Sequence, residues 1–307
     1  MNAAPRAPTH DDPLFILAMD QRESFGRTLF AVERYEPTSD QLAAMKQAKS
    51  LIYRALPGAS TRLALGHAGV LVDERYGQAV IDAARDTTLT LAVPIEQSGR
   101  DWFELEWGDQ WLEHIRRVGP DYAKVLVRDN PAYDEGERRS QFARLAPVSD
   151  ALHREGVPFL CELLVPATPE QLASVNGDGY AYDRDVRPEL VAQVIGDSQR
   201  AGVEPTIWKV EGLETGDAAL AIIEQIRAGG RATDAILLGR DAPAERLNHW
   251  LDVAAPLHGF VGFAIGRSIW EDAIRQWRAN RMSEDAVVAQ IGERYLAFAD
   301  RWAAAAG

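Results

Sequence analysis

Two lysines stand apart from the other basic residues of this chain. The sequence holds 29 arginines and only four lysines, Lys46, Lys49, Lys124 and Lys209. The first two fall in the polar helical stretch "DQLAAMKQAKS", where an arginine would serve as well. Lys124 in "DYAKVLVR" and Lys209 in "TIWKVEG" lie instead in β-branched and aromatic runs that read as buried strands. A cation in such a place is costly unless it is paired. An ammonium can also lose its proton and attack a carbonyl, which a guanidinium effectively cannot. Burial and a second cation nearby both favour the neutral amine.

Side chains alternate along a strand, so Lys124, Leu126 and Arg128 share a face, as do Leu160, Glu162 and Leu164, and Ile207, Lys209 and Glu211. If those faces point inward from neighbouring strands about 4.8 Å apart, Lys124, Glu162 and Lys209 touch. The set suits imine chemistry. The amine adds to a ketone, the iminium accepts an electron pair, and a C–C bond two atoms away breaks while Glu162 moves the protons. The bland alternative is a charge-balanced core network without chemistry.

The elements that must position these residues are legible as short apolar runs at 14–19, 69–72, 88–94, 122–127, 158–165, 206–210, 235–239 and 259–265. Helix-like stretches near 38–56, 73–84, 109–117, 135–154, 187–201, 216–228 and 243–254 separate them, and two more follow at 268–279 and 284–304. Near-continuous apolar strands alternating with amphipathic helices indicate a parallel sheet covered by helices. From Asp20 to Arg267 is 247 residues, close to the roughly 250 of an eight-fold barrel. The expectation is a single α/β (β/α)8 TIM barrel over 14–307, preceded by a loose tail, 1–13. An open doubly wound sheet lacks its Gly-x-Gly-x-x-Gly signature here. The last helix carries an apolar stripe, Val287, Ile291, Tyr295, Phe298 and Trp302, to pack on the barrel or on another subunit.

Barrel sites are built at the C-terminal strand ends, and there the sequence is unusually ionic. Asp20 and Arg22 follow the first strand, Asp73 and Glu74 the second, and Glu96 the third. Arg128 ends the fourth, Glu211 the sixth, and Arg240 with Asp241 the seventh. "LLGRD" and "GFAIGRSIW" place Gly239-Arg240 and Gly266-Arg267 at strands seven and eight, where loop amides and a helix N-terminus commonly hold phosphate. The six histidines show no ligand-like pairing; only His67 falls near the site face. Three separate acids, Asp20, Asp73 and Glu96, are a weak signal for a divalent ion, and no metal is expected. Cys161 alternates away from Glu162 and reads as core.

Composition narrows the class. The chain is 46% hydrophobic and 26% charged, with a net charge of −13. A polyanion partner needs a basic face, so nucleic acid is not expected. No apolar run is long enough to span a bilayer, and a single cysteine fits a reducing cytoplasmic compartment.

The stretches "ILAMDQRESFGRTLF", "GVLVDERYG", "PIEQSGRDWFELEWG", "KVLVRDNP", "FLCELLVPATPEQL", "YDRDVRPEL", "AGVEPTIWKVEG" and "GFAIGRSIWEDA" resemble a family of class I aldolases. It is the aldolase domain fused behind a sugar kinase in myo-inositol catabolism, associated with 2-deoxy-5-keto-gluconate 6-phosphate. The chain is more distantly similar to tagatose 1,6-bisphosphate and sulfofructose 1-phosphate aldolases. The resemblance implies a metal-independent Schiff-base lyase that releases dihydroxyacetone phosphate and an aldehyde and needs no cofactor. On that reading Lys209 forms the imine, Glu162 transfers protons, Lys124 tunes the amine and Asp20 orients hydroxyls. The resemblance adds Gln21 as a substrate contact and Arg267 as the phosphate arginine; the strand-end positions make Arg22, Glu96, Gln97, Arg128 and Glu211 further candidate substrate contacts, and Gly239, Arg240 and Gly266 further candidate phosphate contacts. The expected partners are a phosphosugar and, as a homo-oligomer, copies of the chain itself. Two positions depart from the family pattern: Gln97 stands where a lysine is usual and Asp129 where an aromatic residue is expected, both placed on the site face. The kinase domain is absent from the sequence. A barrel that binds a phosphosugar without turning it over is the non-enzymatic alternative.

Overall fold

A computed structural model of the chain describes residues 7–307. Eight parallel strands, β1 (Leu14–Met19), β2 (His67–Val72), β3 (Thr90–Pro94), β4 (Tyr122–Arg128), β5 (Phe159–Leu164), β6 (Ile207–Glu211), β7 (Asp234–Leu238) and β8 (Phe260–Ile265), close into a barrel in chain order. The helices are α1 (Glu23–Phe30), α2 (Ser39–Ser60), α3 (Glu74–Arg85), α4 (Trp111–Val118), α5 (Glu135–Glu155), α6 (Pro169–Ser174), α7 (Gly179–Ala181), α8 (Arg187–Arg200), α9 (Gly216–Arg227), α10 (Ala244–Ala254), α11 (Arg267–Arg278) and α12 (Glu284–Ala306). The eight apolar runs are the eight strands, so the expected TIM barrel with extra C-terminal helices is the fold.

Each strand is apolar on both sides because both are buried. Phe15, Leu17 and Met19 of β1 pack outward against the helices, while Leu14, Ile16 and Ala18 point into the barrel. The interior is plugged by Leu14, Ile16, Leu71, Tyr122, Leu160, Ile207, Ile236 and Val261, with Ala18, Ala92 and Ala264 completing the layer. Above this dry plug any charge must find a partner. The β1–β8 contact is closed by Gly262 opposite Leu14. At φ +129 its Cβ would lie 2.0 Å from the Leu14 carbonyl oxygen, so only glycine fits.

The apolar stripe of the last helix is buried along its whole length, and α12 runs along α2, α10 and α11. Tyr295 donates its hydroxyl to the Phe15 carbonyl at 2.8 Å, and the Trp302 ring meets Phe15 edge-on. Of the two expected destinations, the barrel receives it. The expected loose tail, 1–13, lies outside the described residues over 1–6. Its later part is docked: Asp12 N donates to Thr9, the His10 ring lies 4.2 Å from that of His258, and Pro13 O accepts from His67 N at 2.9 Å. Helix α1 has no clear sequence signature, because it is only eight residues long and starts directly behind Asp20–Arg22 with an uncapped N-terminus.

Trp302→Ala should cost about 3–5 kcal/mol of unfolding free energy in a urea titration, because it empties a fully buried indole site. A loss under 1 kcal/mol would show that α12 is dispensable to the barrel.

Candidate active site

The register of the sheet sets Glu162 directly beside Lys209, with Lys124 one inward-facing position lower on β4, opposite Leu160. Leu126 pairs with Glu162, and Glu162 with Lys209, so β4, β5 and β6 deliver their side chains to one spot near the C-terminal end of the barrel. Glu162 spans two lysines: Oε1 lies 2.9 Å from Lys209 Nζ and Oε2 lies 3.0 Å from Lys124 Nζ. Lys124 also donates to Asp20 Oδ2 at 2.7 Å and Glu96 Oε1 at 3.1 Å. All five of these side chains are buried or nearly so, with Lys209 3% exposed.

Burial opposes every one of these charges, yet the pairing wins. Desolvation alone would raise the Asp20 carboxyl, but Lys124 and Lys209 hold it below the ordinary carboxylate range. The same two lysines outweigh burial at Glu162 and lower it as well. Burial would deprotonate Lys124, but Asp20, Glu162 and Glu96 push it above its ordinary value. Lys124 is therefore a fixed cation, and Glu162 rests as a carboxylate between two amines.

Glu96, pinned by its backbone bridge to Leu105, carries the network on to Arg22 Nη2 at 3.2 Å, and Arg22 reaches Glu106 at 3.4 Å. Gln21 Nε2 donates to Asp20 at 3.4 Å. A cavity of about 190 Å³ opens above, lined by Asp20, Gln21, Arg22, Glu96, Gln97, Lys124, Arg128, Glu162 and Arg267 among others. Lys209 does not line it and joins it through Glu162. Glu96 Oε2, Gln21 Oε1 and Arg22 Nε are buried with no hydrogen-bond partner, and buried polar atoms ordinarily have one. Gln97 is spent on its own loop, donating to Leu105 O and accepting from Arg100 Nε.

At β8 the chain turns at Gly266 into α11. A Cβ there would sit 2.3 Å from the Ala18 carbonyl oxygen, which also accepts from Trp270 Nε1 at 2.9 Å. The α11 N-terminus is thus clamped to β1 with no side-chain cap on its first amides, an arrangement suited to an anion. Arg267 stands beside it, 36% exposed and 3.2 Å from Asp241.

Several of the expected contact residues lie away from this cavity and are paired elsewhere. Glu211 is 2% exposed and holds structure together: Oε2 accepts from Val165 N at 2.9 Å, and Oε1 pairs with Arg240 at 2.9 Å. Arg240 is drawn to Glu211 and to Asp183, where Arg187 also lies, and does not line the cavity. Gly239 is a packing glycine, its Cβ position 3.2 Å from Ile265. Asp129 faces away from the cavity, fully buried against Arg138 at 2.8 Å, because strand alternation sends Arg128 inward and its neighbour outward. His67 begins β2 at the opposite end of the barrel. Asp73 caps α3 through Tyr76 N and pairs with Lys49 at 2.7 Å, so it does not join Asp20 and Glu96. Lys49 itself is fully buried, so the expectation that an arginine would serve there fails. The signal was present in its spacing, since Met45, Ala48, Lys49 and Ile52 lie on one buried face.

A family model described as "Uncharacterized protein conserved in bacteria (DUF2090)" matches residues 2–306. The chain belongs to this family. No curated protein matches it. Among solved structures it is similar to Cgl0159 from Corynebacterium glutamicum, with 18% identity and a TM-score of 0.58 over 92% of this chain and 85% of that one. That likeness shows the barrel fold alone. No helix among the described residues is long and apolar enough to cross a membrane.

The depressed carboxyls set the acid stability. Asp20 and Glu162 titrate below their unfolded values of about 3.9 and 4.3, so their contribution is complete above those values and is lost as pH falls through the folded ones. Wild type should lose denaturation midpoint more steeply below about pH 4 than Asp20→Asn. Equal slopes in the two proteins would contradict this.

Proposed function

We propose that the protein is a class I aldolase that cleaves a phosphorylated keto sugar or keto sugar acid through an imine on Lys209. The observation that carries the reading is the Glu162 bridge, one carboxylate in contact with two buried amines at the catalytic end of a TIM barrel. Lys209 passes a proton to Glu162, 2.9 Å away, and the free amine adds to the substrate ketone. Glu162 returns the proton to the carbinolamine hydroxyl, which leaves as water. Glu162, again a carboxylate, takes the proton of the hydroxyl two carbons from the iminium carbon. The bond between that hydroxyl-bearing carbon and the carbon next to the iminium breaks, its electron pair moves toward the iminium to form the enamine, and the hydroxyl-bearing carbon departs as an aldehyde. The enamine regains a proton at carbon, and water releases dihydroxyacetone phosphate.

Lys124 stays charged in this scheme and lowers the energy of negative charge on Glu162 and Asp20. The unpartnered Glu96 Oε2 and Gln21 Oε1 accept substrate hydroxyls. The α11 amides and Arg267 take the phosphate. The resemblance to the 2-deoxy-5-keto-gluconate 6-phosphate aldolase family agrees with this set, and the ketose is chosen by what fits beside Gln97 and Arg128. No step requires a metal ion.

Borohydride added with each of a panel of phosphoketoses should trap a mass adduct on Lys209, alongside enzymatic release of dihydroxyacetone phosphate that persists in EDTA. Lys209→Met should abolish both. Glu162→Gln should lower kcat by about 10²- to 10⁴-fold, and Arg267→Ala should act mainly on KM. Ligand binding without turnover or adduct would favour a barrel that only binds phosphosugars, and loss of activity in EDTA with rescue by a divalent ion would favour a metal-dependent aldolase.

A further inference from the structure

Lys49 reaches the barrel end from outside the sheet, and nothing in the imine scheme uses it. It lies on α2 with no exposed surface, among Met45, Ala48 and Ile52, a position that an apolar side chain would ordinarily fill. Its ammonium donates to the Met19 and Gln21 carbonyls, the latter at 3.0 Å, and to Asp73 Oδ1 at 2.7 Å. The Phe25 ring covers it at 4.5 Å. Its three donors therefore meet three acceptors.

The two carbonyls are those on either side of Asp20. Both point outward to Lys49, while the Asp20 side chain between them points inward to Lys124 Nζ at 2.7 Å. The peptide backbone at the end of β1 is thus held from behind at two points, and the carboxylate is projected forward from the segment between. Asp73, itself locked as the cap of α3 by Tyr76 N at 2.9 Å, fixes the ammonium in turn. A planar guanidinium lacks the compact tetrahedral head that these acceptors surround, and an apolar side chain would leave them buried and unpaired.

We infer that Lys49 is a positioning residue that holds Asp20 against Lys124, and through Lys124 sets the charge around Glu162. Its kinetic consequence rests on the aldolase reading; its structural consequence does not. Loss of Lys49 frees the two carbonyls that fix the Asp20 segment, loosens one of the three carboxylate contacts of Lys124 and disturbs a reacting geometry in which about 1 Å is worth about 100-fold in rate.

A chain with four lysines suits a direct test. Full-length protein labelled with ¹³Cε,¹⁵Nζ-lysine gives few resonances, and Lys124→Met assigns that of Lys124. Lys49→Met, Asp73→Asn and, as a control for core damage on the same helix, Ile52→Ala are compared with wild type. The Lys124 resonance should move in Lys49→Met and Asp73→Asn and stay in place in Ile52→Ala. With the ketose found by borohydride trapping, kcat should fall about 100-fold in Lys49→Met, with KM changed less than about threefold. Asp73→Asn keeps the helix cap and provides the readout if Lys49→Met does not fold. An unmoved Lys124 resonance in the folded variants overturns the inference, as does a shift equal to that of Ile52→Ala. If no ketose is ever cleaved, the aldolase reading falls, and the resonance still decides the role of Lys49.

Discussion

Glu162 places one oxygen on each of two buried lysines, and the ionic end of the barrel is organised around that bridge. Two ammonium groups brought together in a dry interior repel, and each alone is expensive to bury. A carboxylate between them offsets both costs, but only where three consecutive strands present their side chains inward within reach of one another. Parallel pairing of β4, β5 and β6 supplies that geometry, with Glu162 directly opposite Lys209. The apolar plug beneath offers the charges no polar partner of its own.

From this bridge the network spreads in a defined order. Lys124 gathers Asp20 and Glu96, Glu96 hands on to Arg22, and Lys49 supports the backbone behind Asp20. The inner set of Asp20, Glu96, Glu162, Arg22, Lys124 and Lys209 matches three acids with three basic side chains. Arginines stand outside it at the cavity mouth, Arg128 on β4 and Arg267 on α11. A second ionic knot, Glu211 with Arg187, Arg240 and Asp183, ties β6 to the segment before α8 and stiffens the neighbouring rim.

The barrel was legible because its determinants are local: eight apolar runs, helical periods between them and a spacing that fits one domain. The convergence of Lys124, Glu162 and Lys209 was legible too, since strand alternation and chain order suffice once the sheet is parallel. Less visible were side chains whose role depends on what faces them. Arg240 and Arg267 have the same Gly-Arg setting in sequence, yet one is captured by Glu211 and Asp183 and the other is left at the mouth. Asp129 beside Arg128 turned outward to meet Arg138, a partner nine positions along on the following helix.

What the sequence determined by itself is the fold and the chemical inventory of the site, because periodicity and residue type act over a few positions. What the tertiary structure decided is which charge is spent on which partner. Lys46 and Lys49 sit in one helical phrase, and only folding shows that the second is enclosed among carbonyls 28 and 30 residues away. Such pairings rest on long-range apposition and on the cost of leaving a buried polar group unpaired, neither of which is written in any local pattern.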